Sequence, residues 1–265
     1  MKFALVDDQR IEAQPNLSGR CPSCGQVMLA KCGDIKVWHW AHKGRRICDH
    51  WWENETEWHR AWKGQFPEGW QEIVHESESG EKHIADIKTD QDWVIEFQHS
   101  RIDIEERRSR DNFYKKLIWV VDGTRRKKDP TQFANAVNEG ITIGEGFQFL
   151  KVRSDGCALL REWSGSNVPI FLDFGDRQVL WWLIAGRPDG WSYLASLPCM
   201  DFIEIHCGKS KQPARNFDEF LMLAQKHIAD YASNARAQTL NATHNHAFRN
   251  AQRNMARKNR GRGRF

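Results

Sequence analysis

The chain has 265 residues, 40% of them hydrophobic and 28% charged, with a net charge of +4. That length buries at least one real core and leaves room for a small second unit. No run approaches the roughly 18 apolar residues of a membrane helix, and MKFALVDDQR lacks the apolar core of an export signal, so a cytoplasmic protein with no membrane association is expected. The seven cysteines then argue against a disulfide framework.

Met1 to Arg20 reads as a short strand and a loop. Cys21 to His50 is dense in Cys, His and Gly, the pattern of a small metal-stapled unit. Cys21-Pro22-Ser23-Cys24-Gly25 is a knuckle in which two thiolates hold one metal while the backbone turns at glycine. His39-Trp40-Ala41-His42 supplies a second close pair. Cys21, Cys24, His39 and His42 are therefore the expected ligands of a structural zinc, with Cys32, Cys48 and His50 as alternates. The plainer reading is free thiols and surface histidines. Most of the 13 tryptophans read as core.

Glu53 to Phe66 predicts a helix, with Trp58, Ala61, Trp62 and Phe66 at helical spacing, Asn54 as its cap, and Pro67 and Gly69 after it. Glu55, His59 and Lys63 share one face. Glu55 is a candidate metal ligand or orienting acid, and His59 and Lys63 are candidate substrate contacts. An ion-paired solvated face is the alternative.

Strands are predicted over Gln71–Glu76, His83–Ile87 and Trp93–Gln98, joined by polar turns at Ser77–Glu81 and Thr89–Asp92. Antiparallel pairing of the last two brings Asp86 and Glu96 to one face of a sheet, and Gln98 projects on the same side as Glu96. Acids among apolar neighbours need a partner, and magnesium or manganese prefers oxygen ligands. Asp86 and Glu96 would hold the metal. Gln98 would orient water or meet a phosphate, since an amide does not titrate.

Ile104–Tyr114 predicts a charged helix and Leu117–Val121 (LIWVV) a strand buried on both faces. Ser100, Arg107 and Arg110 join His59 and Lys63 as expected nucleic-acid contacts; Arg108, Lys115 and Lys116 add basic charge. The order helix, three strands, helix, strand is a mixed α/β core. Beyond Arg125 the pattern weakens. Residues 125–128 are all basic, Asp129-Pro130 marks a break, and strands are expected over Phe147–Val152 and Val168–Phe174. Arg177–Ile184 reads as a strand or a buried helix end, and Phe217–Tyr231 as a helix. His246–Phe265 carries seven Lys or Arg and no acid, a nucleic-acid footprint or a solvated tail. The expected division is 1–50 as N-terminal segment with zinc module, 51–125 as nuclease core, and 126–265 as a C-terminal region with a basic tail.

CPSCG, HWAH, ETEWHRAWK, HIADI, VIEFQHS, the Arg110–Tyr114 stretch and LIWVVDG occur in this order between Cys21 and Gly123. In these pieces the chain resembles the competence protein CoiA-like family. The resemblance implies a restriction-endonuclease-like mixed sheet flanked by helices, of the PD-(D/E)XK nuclease superfamily, behind a small zinc-binding module. It implies Asp86 and Glu96 as the paired acids, Gln98 in place of the usual lysine, and Glu55 as the helix acid. It also implies DNA as substrate, a homodimer, and a link to DNA uptake, recombination or other DNA-processing proteins. The chain departs from the family at HWAH, where a Phe would stand between the histidines, and at His83, where Arg would. The leading expectation is a magnesium- or manganese-dependent DNA nuclease. A DNA-binding protein without catalysis and a scaffold in a DNA-processing assembly are the alternatives.

Overall fold

The structure is a computed structural model that describes residues 1–45, 48, 51, 55–77, 80–144, 149–176, 178–184, 190–211, 214–231 and 233–234. Two compact units divide the chain. The first holds both β-sheets, and the second holds a helix over 217–231, the one expected there.

The smaller sheet is built from β1 (Phe3–Val6), β2 (Gln9–Glu12), β3 (Ser18–Arg20), β4 (Val27–Lys31) and β5 (His39–His42), in the order β2-β1-β3-β4-β5 and antiparallel throughout. Its apolar core is Met1, Ala4, Ala13, Met28 and Trp40 with Cys21 beside them, and Ile84 of the second sheet packs against it.

The second sheet has nine strands and carries the expected helix–three strands–helix–strand series. Helix α1 (Glu57–Lys63) precedes β6 (Gln71–Glu76), β7 (Lys82–Lys88) and β8 (Val94–Gln98); α2 (Ile104–Phe113) and β9 (Leu117–Asp122) follow. Thr56 caps α1, its hydroxyl accepting from His59 N–H while the His59 ring reaches back to Thr56 N–H. The expected cap, Asn54, lies outside the described residues. β6, β7 and β8 are antiparallel neighbours, and β9 runs parallel to β8.

Residues past 125 extend the same sheet. α3 (Asp129–Asn138), β10 (Ile141–Ile143), β11 (Phe149–Arg153), α4 (Ala158–Trp163), β12 (Ile170–Asp173), β13 (Val179–Ile184), β14 (Trp191–Pro198) and α5 (Cys199–His206) complete the order β10-β11-β14-β13-β12-β9-β8-β7-β6. The boundary expected at 125/126 therefore falls inside one sheet. β9 lies between two parallel partners, β8 and β12, and all six of its residues are buried. That is why LIWVV is continuously apolar. α1 is tied to the far side of β9 as well: Trp58 Nε1 and Trp62 Nε1 each donate to Asp173 Oδ2 at 2.8 Å. Asp129-Pro130 opens α3, with proline in the first turn, where a missing N–H costs nothing. Among the described residues no helix is long and apolar enough to cross a membrane. The basic tail from His246 lies outside the described residues.

Candidate functional site

Two constellations stand out. The first is in the small sheet. Cys21 and Cys24 flank the turn after β3; the Gly25 N–H returns to the Cys21 carbonyl at 2.9 Å, and Gly25 takes φ +71°, which only glycine adopts without strain. His42 ends β5, and Cys48 follows. The ligand atoms of Cys21, Cys24, His42 and Cys48 lie within 4.8 Å of one another. Cys21 Sγ is 3.8 Å from Cys48 Sγ, and His42 Nε2 is 3.4 Å from Cys24 Sγ and 3.6 Å from Cys48 Sγ. A zinc tetrahedron with ordinary bond lengths sets sulfur–sulfur edges of about 3.8 Å and sulfur–nitrogen edges of about 3.5 Å. These three edges fit zinc. Burial pushes the Cys21 thiol up, and burial with the neighbouring Cys21 pushes Cys48 up to about 12. A bound cation reverses that penalty, because thiolates are what a metal binds.

His39 is not in this group, which corrects the expected ligand set. HWAH is a strand, and side chains three apart on a strand project to opposite faces. His39 instead hydrogen-bonds the Val37 carbonyl through Nδ1 at 2.8 Å, and Cys48 takes its place.

The second constellation is a row of acids across three strands. Gln71 pairs with Ile87 and Ile73 with Ala85, so Glu72 stands opposite Asp86. Ile87 pairs with Ile95 and Lys88 with Val94, so Glu96 stands opposite Asp86 on the other side. Both ladders are interrupted at this level. Glu72 adopts φ +48°, a strained value for a side-chain-bearing residue, and Asp86 Oδ2 accepts the Phe97 N–H at 3.0 Å in place of a ladder bond. The opening is a cavity of about 60 Å³, lined by Glu55, Lys63, Glu72, Asp86, Glu96 and Arg110 among others. It is large enough for ordered water.

Lys63 reaches into this row from α1. Its ammonium lies 3.0 Å from Glu72 Oε1, 3.2 Å from Glu55 Oε1 and 3.2 Å from Asp86 Oδ1. Burial works against its charge, but the carboxylates of Glu72, Asp86 and Glu55 raise its pKa well above the ordinary value. Glu72 is the reciprocal case. Burial would raise its pKa, yet Lys63 and the N–H groups of Phe3 and Lys2 bring it down to about 2. Glu55 is also lowered against burial, chiefly by Lys63, and it pairs with Arg60 at 3.1 Å. Arg110 approaches Glu96 at 3.5 Å and pairs with Glu106 at 2.5 Å.

The structure thus brings Glu55, His59, Lys63, Asp86, Glu96 and Arg110 to one cavity. Gln98 is buried, does not line it, and donates its amide to the Ser100 carbonyl at 3.1 Å. His59 is buried, with Nε2 donating to the Phe97 carbonyl at 2.9 Å and Nδ1 2.9 Å from the Thr56 hydroxyl. These bonds tie α1 to β8 at the edge of the cavity. Arg107 is buried too; it donates to the Glu162 carbonyl and lies 5.2 Å from the Trp163 ring. The expectation that Arg107 meets phosphate gives way to a packing role. Ser100 is exposed. Glu72 was absent from the expected site. Its signal was the Ser77–Glu81 turn, whose symmetric pairing sets Glu72 against Asp86.

Residues 7–50 match the family model described as competence protein CoiA, N-terminal domain. Over this stretch the chain is similar to CoiA. The match covers the Cys/His cluster and ends before the acid row. No curated protein and no solved structure matches the chain.

Proposed function

We propose that this CoiA-like chain is a divalent-metal-dependent nuclease acting on DNA. The observation that carries the reading is the acid row: Asp86 and Glu96, opposed on neighbouring strands, open into one cavity with Glu55. The order of α1, β6–β8, α2 and β9 around that row supports a restriction-endonuclease-like core. The donor set suits magnesium or manganese, since it is all oxygen and anionic. Asp86 is the most open of these acids, with its side chain 21% exposed. Asp86 and Glu96 would hold the metal. Such an ion supplies Lewis-acid polarisation of a phosphate oxygen and lowers the pKa of water. Lys63 fixes Asp86, Glu55 and Glu72 through ion pairs. Arg110 approaches Glu96 from α2. A link to competence follows from the CoiA-like module.

One observation favours a second reading, nucleic-acid binding without hydrolysis. Gln98 is neutral and turned to Ser100, and Lys63 directs its three N–H donors at carboxylates, so neither offers a cation to a developing phosphate charge.

Cleavage of labelled single- and double-stranded DNA, with magnesium, with manganese and with neither, separates the two. Omitting the metal is preferable to a chelator, which would also strip zinc. Metal-dependent cleavage that Asp86→Asn with Glu96→Gln lowers at least about a hundredfold supports the nuclease. Binding without cleavage in any metal overturns it in favour of the second reading.

A further inference from the structure

The segment between β4 and β5 carries features that neither the zinc nor the acid row explains. Trp40, Trp119 and Trp163 are fully buried, yet Trp38 is 48% exposed and Ile35 97% exposed. Single exposed apolar residues are ordinary, but this pair lies in a strongly basic stretch. Residues 20–45 hold Arg20, Lys31, Lys36, Lys43 and Arg45 against one acid, Asp34, and all six are exposed. Beneath the segment is a cavity of about 300 Å³, lined by Ile35, Lys36, Val37, His39, Thr56 and Glu57, and also by Glu55. That volume is at the small end of sites that accept an organic ring system.

Two links join this place to the acid row. Glu55 lines both cavities. The Trp38 carbonyl accepts Arg60 Nη2 at 2.8 Å, and the same guanidinium pairs with Glu55, which pairs with Lys63, which pairs with Asp86. The backbone that carries Trp38 is thus tied to the network that orders the carboxylates.

We propose that the Ile35–His39 loop binds a single nucleic-acid strand. Unpaired bases stack on Trp38 and enter the cavity beside Glu57, whose carboxylate accepts from exocyclic amino groups, and phosphates meet Lys31 and Lys36. An exposed ring beside ammonium groups is how sequence-tolerant single-strand sites are made, because every base has a stacking face and the backbone supplies the charge. A duplex hides its bases and gains only the phosphate contacts. The inference rests on the nucleic-acid reading above and adds that the bound strand is unpaired.

The test is fluorescence anisotropy of the full chain, without magnesium, on a labelled mixed-sequence oligonucleotide of about 20 nucleotides as DNA, as RNA and as a DNA duplex. Trp38→Ala should weaken single-strand binding roughly 5- to 100-fold and leave duplex binding unchanged, and Trp38→Phe should restore most of it. Lys36→Ala should flatten the salt dependence on the single strand by about 0.7 in log–log slope. Zinc content shows that each variant is folded, and Lys36→Ala serves if Trp38→Ala loses metal. Single-strand affinity of Trp38→Ala within about twofold of wild type, or an equal loss on duplex and single strand, overturns the proposal. Trp38-dependent binding with no cleavage in any metal would sink the nuclease and uphold this site. Cleavage with Trp38-independent binding would do the reverse.

Discussion

At Lys63 one ammonium balances three carboxylates, the buried Glu55 and Glu72 side chains and the half-buried Asp86. Removing one partner from a buried ionic group leaves uncompensated charge, which costs about 3–5 kcal/mol. Lys63→Met should therefore lower stability by about that much in urea unfolding at neutral pH, and a loss under about 1 kcal/mol would show the acids to be better solvated than their burial implies. The acid limb follows from Glu72. Its folded pKa, about 2, lies below the ordinary carboxylate value. The unfolded chain therefore takes up the proton first as pH falls. Stability from this group is full above the ordinary range and is lost as pH drops toward about 2. Glu72→Gln should remove that part of the acid slope in a pH series of unfolding curves. An unchanged slope would place the acid sensitivity elsewhere.

At the scale of elements, strand periodicity and turn chemistry made β6, β7, β8, α2 and β9 legible, because each buries one regular face or two. The same rule, applied to HWAH, would have removed His39 from the zinc set. Two histidines three apart share a face in a turn or a helix, but HWAH is a strand, whose alternation parts them. α3 was hidden by Asp129-Pro130, which reads as a break until proline is placed in a first turn. Glu72 is legible only through the register that the Ser77–Glu81 turn sets, and its positive φ is not carried by local composition. The zinc correction is directly measurable. Cys48→Ser should lose zinc by elemental analysis, as should Cys21→Ser, while His39→Ala should keep it. Zinc loss in His39→Ala with retention in Cys48→Ser would restore the set read from spacing.

Across the whole first unit, the acid row depends on strands that carry no recognisable motif. β9 needs β12 on its far side: Trp119 N–H donates to the Pro169 carbonyl at 3.0 Å and Gly123 N–H to the Asp173 carbonyl at 2.7 Å. Phe174 packs so closely on Gly123 that a Cβ there would lie 2.5 Å from its ring. Trp58 and Trp62 hold α1 in place through Asp173. A chain cut after Gly123 would keep every motif that the sequence displays, yet it would expose the edge of a strand whose six residues are all buried. An open apolar edge of that kind pairs with other chains. Such a fragment should aggregate or lack a cooperative thermal transition, whereas a chain ending at Asn216, which retains both sheets, should melt cooperatively and keep zinc. A monomeric, cooperatively folded 1–123 fragment would mean that the motif-bearing half is a domain in its own right and that β10–β14 only lean on it.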